Sequence, residues 1–163
     1  MLALVLQDPF LFSGTVRENV FAGGPAVEGA LSATGVDRFA ADWEAGLETR
    51  VGERGGQLSM GQRQMVSFAR ALARDPKVLL LDEATSSVDP VTEHRIQQAL
   101  GAILPGRTAL VVAHRLSTVL TADRILVMHK GKIRESGTHQ ELLAAGGIYR
   151  RLYSLQFLEA SGA

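Results

Sequence analysis

Short unbroken apolar runs alternate along this chain with stretches in which apolar residues recur every three or four positions. The runs at residues 2–6, 78–81, 109–112 and 125–128 are rich in Leu, Val and Ile, the pattern of strands buried on both faces of a parallel sheet. Between them, residues 61–74 place Met65, Phe68 or Ala69, and Leu72 on one helical face and stop at Asp75-Pro76. That is a normal helix end, because the residue before a proline avoids helical angles. Asp89 followed by Pro90 predicts an N-cap and a first helical position, opening a helix that runs to Leu100. Residues 124–135 read as a hairpin around His129-Lys130-Gly131-Lys132, and residues 138–158 as two helices. Strands alternating with helices imply an α/β fold.

From residue 7 to residue 57 the pattern changes. Helical stretches at 15–21, 27–33 and 37–43, separated by Gly and Pro and with no strong strand among them, predict a helical subdomain inserted into the sheet domain. The final Ala160-Ser161-Gly162-Ala163 is expected to fray.

Composition narrows the function classes. With 163 residues, 46% hydrophobic and 21% charged, the chain suits a globular domain with one core, or one core and a small satellite. Seventeen Lys+Arg balance seventeen Asp+Glu, which leaves no electrostatic footprint for duplex nucleic acid or an anionic membrane surface. The absence of cysteine excludes disulfides and thiolate zinc and is compatible with the cytosol. His94, His114, His129 and His139 are scattered without metal-ligand spacing. No stretch approaches the roughly 18 apolar residues of a membrane-spanning helix. The apolar start lacks a basic n-region and reads as a strand rather than a signal peptide.

Two segments carry candidate chemistry. Val78-Leu79-Leu80-Leu81-Asp82-Glu83 places adjacent carboxylates at the carboxyl edge of a buried strand, where open α/β sheets bind ligands. There Asp82 can hold Mg²⁺ through its water shell, and Glu83 can polarise a water for attack on phosphorus. Two acids ending a strand at the surface are the plain alternative. Upstream, Gln57-Leu58-Ser59-Met60-Gly61-Gln62-Arg63-Gln64 leads into the amphipathic helix, and a helix N-terminus offers free N–H groups and partial positive charge to an anion. Ser59 adds a hydroxyl and Gly61 permits close backbone approach, although Ser59 equally suits an ordinary N-cap.

Read together, these segments resemble the ATP-binding cassette (ABC) family. Leu58-Ser59-Met60-Gly61-Gln62-Arg63-Gln64 is similar to the signature motif and Leu79-Leu80-Leu81-Asp82-Glu83-Ala84-Thr85 to the Walker B strand. Gln7 in Leu6-Gln7-Asp8-Pro9-Phe10-Leu11-Phe12 resembles the Q-loop, Ser87-Val88-Asp89 the D-loop, and His114 in Val112-Ala113-His114-Arg115-Leu116-Ser117 the switch histidine. Asp123-Arg124-Ile125 and Gly137-Thr138-His139-Gln140-Glu141-Leu142-Leu143 resemble the C-terminal part of the cassette. The stretches Gly14-Thr15-Val16-Arg17-Glu18-Asn19-Val20, Val51-Gly52-Glu53-Arg54-Gly55 and Ala113-His114-Arg115 resemble exporters whose membrane and ATPase domains share one polypeptide.

The resemblance implies a P-loop NTPase (RecA-like) fold with a mostly parallel sheet, ATP and Mg²⁺ as ligands, and ATP hydrolysis powering export. By the same resemblance Glu83 and His114 are catalytic, His114 through the γ-phosphate. Asp82 serves Mg²⁺, and Gln7 contacts Mg²⁺ or the attacking water and senses the membrane domain. Ser59, Gly61 and Gln62 cap the nucleotide of a second cassette, in a homo- or heterodimer, and Asp89 is both N-cap and D-loop contact. Membrane coupling falls to the surface around residues 7–12. The implied division is a core strand at 1–6, Q-loop, helical subdomain and signature helix at 7–75, Walker B to switch-histidine core at 76–136, and C-terminal helices at 137–163. Met60 departs from the commoner glycine at the third signature position.

One element of the family pattern is missing. A P-loop needs Gly-Lys-Ser/Thr, but the lysines here are Lys77, Lys130 and Lys132, and Gly131-Lys132 is followed by Ile133. The adenine-stacking aromatic of the same region is absent too. The expectation is therefore an N-terminally truncated cassette, inactive alone, that sits at the cytoplasmic face of the cell membrane through a membrane domain it does not contain. Two rival readings are a non-catalytic partner supplying the signature motif in trans and a soluble ABC ATPase of DNA repair or translation. The zero net charge, which also predicts no nucleic-acid partner, disfavours the latter.

Overall fold

In the computed structural model of the chain, residues 1–22, 24–52, 55–82, 90–113 and 116–161 are described, with 90–92, 116–117 and 156–161 described by their backbone alone. They form two compact units, residues 1–112 and 113–163.

The first unit runs β1 (Leu2–Val5), β2 (Gly14–Thr15), α1 (Val16–Phe21), α2 (Val27–Thr34), α3 (Val36–Ala40), a 3-10 turn (Gly46–Glu48), β3 (Arg50–Val51), α4 (Met60–Leu72), β4 (Val78–Asp82), α5 (Pro90–Ile103) and β5 (Thr108–Val112). Three of the four apolar runs form one sheet in the order β1-β4-β5, both pairs parallel; the fourth, at 125–128, is corrected to an antiparallel strand of a separate hairpin. Register aligns Val5 with Leu81 and Leu81 with Val111, so the strands end side by side at one carboxyl edge. At the opposite edge Arg107 donates to the carbonyls of Ile103 and Pro76 and to the Asp75 carboxylate, at 2.8, 3.1 and 3.1 Å. One guanidinium thus ties the end of α5 to the start of β4.

Ala3, Val5, Leu79 and Leu81 point into the core, where Met65, Phe68, Ala69 and Leu72 of α4 and Ile96, Ala99, Leu100 and Ile103 of α5 meet them. The expectation of strands buried on both faces is corrected here. Leu2, Leu4, Leu110 and Val112 are 52 to 57% exposed, because α4 and α5 cover a single face of the sheet. The helices α1 to α3 are inserted in sequence but not separate in packing: Val16, Val20, Leu31, Val36 and Phe39 belong to the same buried cluster as the sheet. Within this segment the reading that found no strong strand meets a short one, since β2 and β3 pair antiparallel through Gly14 with Val51 and Thr15 with Arg50. Two residues per strand are too few for periodicity to reveal.

The second unit holds α6 (Leu116–Leu120), β6 (Ile125–His129), β7 (Lys132–Gly137), α7 (His139–Ala145) and α8 (Ile148–Ser161). The predicted hairpin is present, turning at Lys130 and Gly131 with φ of 50° and 71°, the positive pair that a two-residue turn between twisted strands requires. A small core of Val127, Leu142 and Tyr149 is flanked by Val119, Ile125, Leu143 and Ile148. The helix α8 continues through Ala160 and Ser161, where fraying was expected; Gly162 and Ala163 lie outside the described residues.

Candidate functional site

Three segments leave the carboxyl edge of the sheet together. Gln7 follows β1 by two residues and is exposed; Asp82, the last residue of β4, is half-buried and pairs in register with Val112 at the end of β5. The run Val-Leu-Leu-Leu that makes β4 fit between two neighbours also delivers the Asp82 carboxylate to this edge. Glu83 and Asp89, which follow β4, and His114, which follows β5 by two residues, lie outside the described residues.

Asp82 lines a small cavity of about 10 Å³ with Gln64 and the apolar side chains of Val5, Phe68, Leu81, Leu100 and Val111. Gln64 is 2% exposed and is the polar side chain that α4 brings to Asp82. Asp82 and the exposed Gln7 are the oxygen-bearing side chains that the neighbouring strands β4 and β1 bring to the carboxyl edge.

The N-terminus of α4 is built by a reciprocal cap. The Ser59 hydroxyl accepts from the Gln62 N–H at 3.2 Å, while the Gln62 side-chain oxygen accepts from the Ser59 N–H at 2.9 Å. This satisfies two backbone donors and leaves the helix dipole directed outward. Ser59 is exposed, Gln62 half-buried and Gly61 buried in the first turn. Arg63 folds back, donating to the Leu58 carbonyl at 2.8 Å. Its stem and Leu11 would each lie 3.0 Å from a Cβ at Gly55, whose φ is 68°. Ser59 precedes Gln64 by five residues, about 7.5 Å along the helix axis. One helix therefore carries both the capped terminus and the polar group beside Asp82.

The segment after Gln7 is shaped by Asn19 of α1. Its side-chain oxygen accepts from the Phe12 N–H at 2.8 Å and its amide donates to the carbonyls of Phe12 and Thr15 at 2.8 and 3.0 Å. Phe10 and Phe12, both half-exposed, meet edge to face at 5.3 Å between centroids. Sequence reasoning assigned no role to Asn19, Gln64 or Arg70. The available signal was position, since Asn19 lies between Val16 and Val20 on an apolar stripe, and Gln64 stands in the buried row of α4.

Comparison with known proteins gives the family. A family model described as ABC transporter matches residues 1–86. An uncharacterized ABC transporter ATP-binding protein of Bacillus subtilis, YknV, is 51% identical over 164 residues, covering 98% of this chain and 27% of the relative. An ATP-dependent lipid A-core flippase of Xanthomonas campestris is 46% identical, covering 97% of this chain and 28% of the relative. The solved structure of a bacterial Atm1-family ABC exporter with ATP bound superposes with a TM-score of 0.85 at 39% identity, over 95% of this chain and 28% of that one. The chain thus spans little more than a quarter of the length of each of these three proteins.

Proposed function

This chain belongs to the ABC transporter family, and from that premise we propose that it is the part of an exporter's ATP-binding domain that positions the attacking water and caps the nucleotide of a second domain. The observation that supports the reading is the parallel register of β1, β4 and β5, whose carboxyl ends, Val5, Asp82 and Val112, lie side by side.

In this reading Asp82 and Gln7 hold Mg²⁺, which when bound neutralises phosphate charge. Glu83, one residue beyond Asp82, accepts a proton from the attacking water, and the imidazole of His114 holds the γ-phosphate in place. Asp89 orients the segment between the two domains. Ser59, Gly61 and Gln62, at the capped end of α4, present N–H groups and positive dipole to the phosphates bound by a second cassette. Export is the proposed use of the cycle, at the cytoplasmic side of a membrane, with a transmembrane domain docking near residues 7–12.

The chain contains no Gly-Lys-Ser/Thr, so the test supplies one. A chimera that joins the phosphate-binding segment of a related cassette to this chain should hydrolyse ATP. Glu83→Gln in that chimera should abolish turnover while leaving ATP binding in place, because the amide keeps the shape but takes no proton. Near-normal turnover in the variant would remove Glu83 from the role.

A further inference from the structure

Arg70, in the last turn of α4, reaches across the unit to the segment that follows Gln7. Its Nε and Nη2 donate to the backbone carbonyl and side-chain oxygen of Asn19 at 2.9 and 2.6 Å, and its Nη1 to the Phe10 carbonyl at 2.8 Å. The guanidinium also lies 5.0 Å from the centroid of the Phe12 ring. These bonds span 51 and 60 residues of sequence, and Asn19, 1% exposed, passes the connection on to the Phe12 N–H and carbonyl.

Arg70 meets no carboxylate among the described residues, and burial lowers its pKa. What the position uses is the planar fork of donors, which a lysine lacks. A loop held only at its ends would yield when its exposed rings are pushed. Here each bond from Arg70 and Asn19 removes a way of yielding.

We propose that Arg70 and Asn19 are a positioning pair that fixes the exposed Phe10 and Phe12 rings to α4, so that a displacement imposed on the rings is delivered to the helix whose other end carries Ser59 and Gln62. The consequence for transport rests on the docking reading above; the pairing itself does not.

Residue-resolved amide hydrogen exchange on the 163-residue chain tests it, with no nucleotide or membrane domain present, so failure of the transport reading leaves the outcome unaffected. In the unmodified chain the Phe12 N–H should exchange as slowly as the interior α4 amides Phe68 and Ala69; exchange at the rate of an open loop would overturn the proposal. Arg70→Lys should accelerate Phe12 by at least about tenfold while Leu79 and Leu81 keep their protection. An unchanged Phe12 rate overturns the pairing, and equal acceleration of Leu79 and Leu81 makes Arg70 a general stabiliser and overturns it too. Phe12→Ala should alter exchange at Ala73, beyond the last turn of α4, when Arg70 is intact and not when it is combined with Arg70→Lys; additive effects would contradict transmission.

Discussion

Glu135, on β7, caps α8 from outside the helix: its carboxylate accepts the backbone N–H of Tyr149 at 2.9 Å and also that of Ile148. A side chain at Gly147 would occupy the same place, since a Cβ there overlaps a Glu135 carboxylate oxygen. Glu135→Ala and Gly147→Ala should therefore each lose the cap, at a cost of about 0.5 to 2 kcal/mol, and the double variant should cost little more than either one. Glu135→Gln, which keeps an acceptor but not the charge facing the dipole, should cost less. Exchange rates at Ile148 and Tyr149 measure this, and additive losses would show that the two residues act separately.

The two faces of the sheet should answer differently to truncation. Leu79 is fully buried and Leu4 is 55% exposed, although both belong to apolar runs of the same kind. Leu79→Ala should cost about 2 to 5 kcal/mol, and Leu4→Ala no more than roughly 0.5 kcal/mol. Urea unfolding of the two variants decides; a large loss at Leu4 would mean that its face is covered in solution.

That contrast marks where the sequence stops being informative. The helix α4 was legible because period, cap and stop agree, from Ser59 through Met65 and Leu72 to Asp75-Pro76, and the β6–β7 turn because His129-Lys130-Gly131-Lys132 ends the apolar run of β6. The location of Asp82 at a carboxyl edge followed from the run before it. Coverage of the sheet did not, because a run such as Leu2-Ala3-Leu4-Val5 reads the same whether one face is packed or two. Arg70 looks like a solvated basic residue at a helix end; only tertiary structure brings it to Phe10 and Asn19. Asn19 carries a weak signal as a polar residue on the apolar face of α1, and its partners are set by folding.

Ser59 offers a way to separate structure from the proposed contact in trans. Because its hydroxyl caps α4, Ser59→Ala should lower stability by about 1 kcal/mol whatever its role toward nucleotide. Ser59→Asp retains a capping oxygen and a favourable charge at the helix N-terminus, so thermal stability should hold. The new carboxylate would nonetheless oppose phosphate, and in the chimera carrying Glu83→Gln it should prevent ATP-driven pairing, measured by size exclusion. Pairing that survives Ser59→Asp would place Ser59 away from the second nucleotide.

The 163-residue chain by itself should not bind Mg-ATP below millimolar concentration. A Kd of about 0.1 mM requires about −5.5 kcal/mol. In P-loop proteins most of the phosphate attraction comes from a nest of backbone donors and one lysine, and no Gly-Lys-Ser/Thr occurs in this sequence. The N-terminus of α4 contributes about 0.3 to 1 kcal/mol when exposed, and part of its donor capacity is already taken by Ser59 and Gln62. In the proposed role Asp82 would add affinity for the metal but repel the phosphates unless the metal lies between them. These terms together fall several kcal/mol short. Isothermal titration with Mg-ATP reads the result directly, and saturable micromolar binding would mean that residues 1–163 hold a phosphate site of their own and that the division of labour proposed for Gln7, Asp82 and Glu83 needs a different partner.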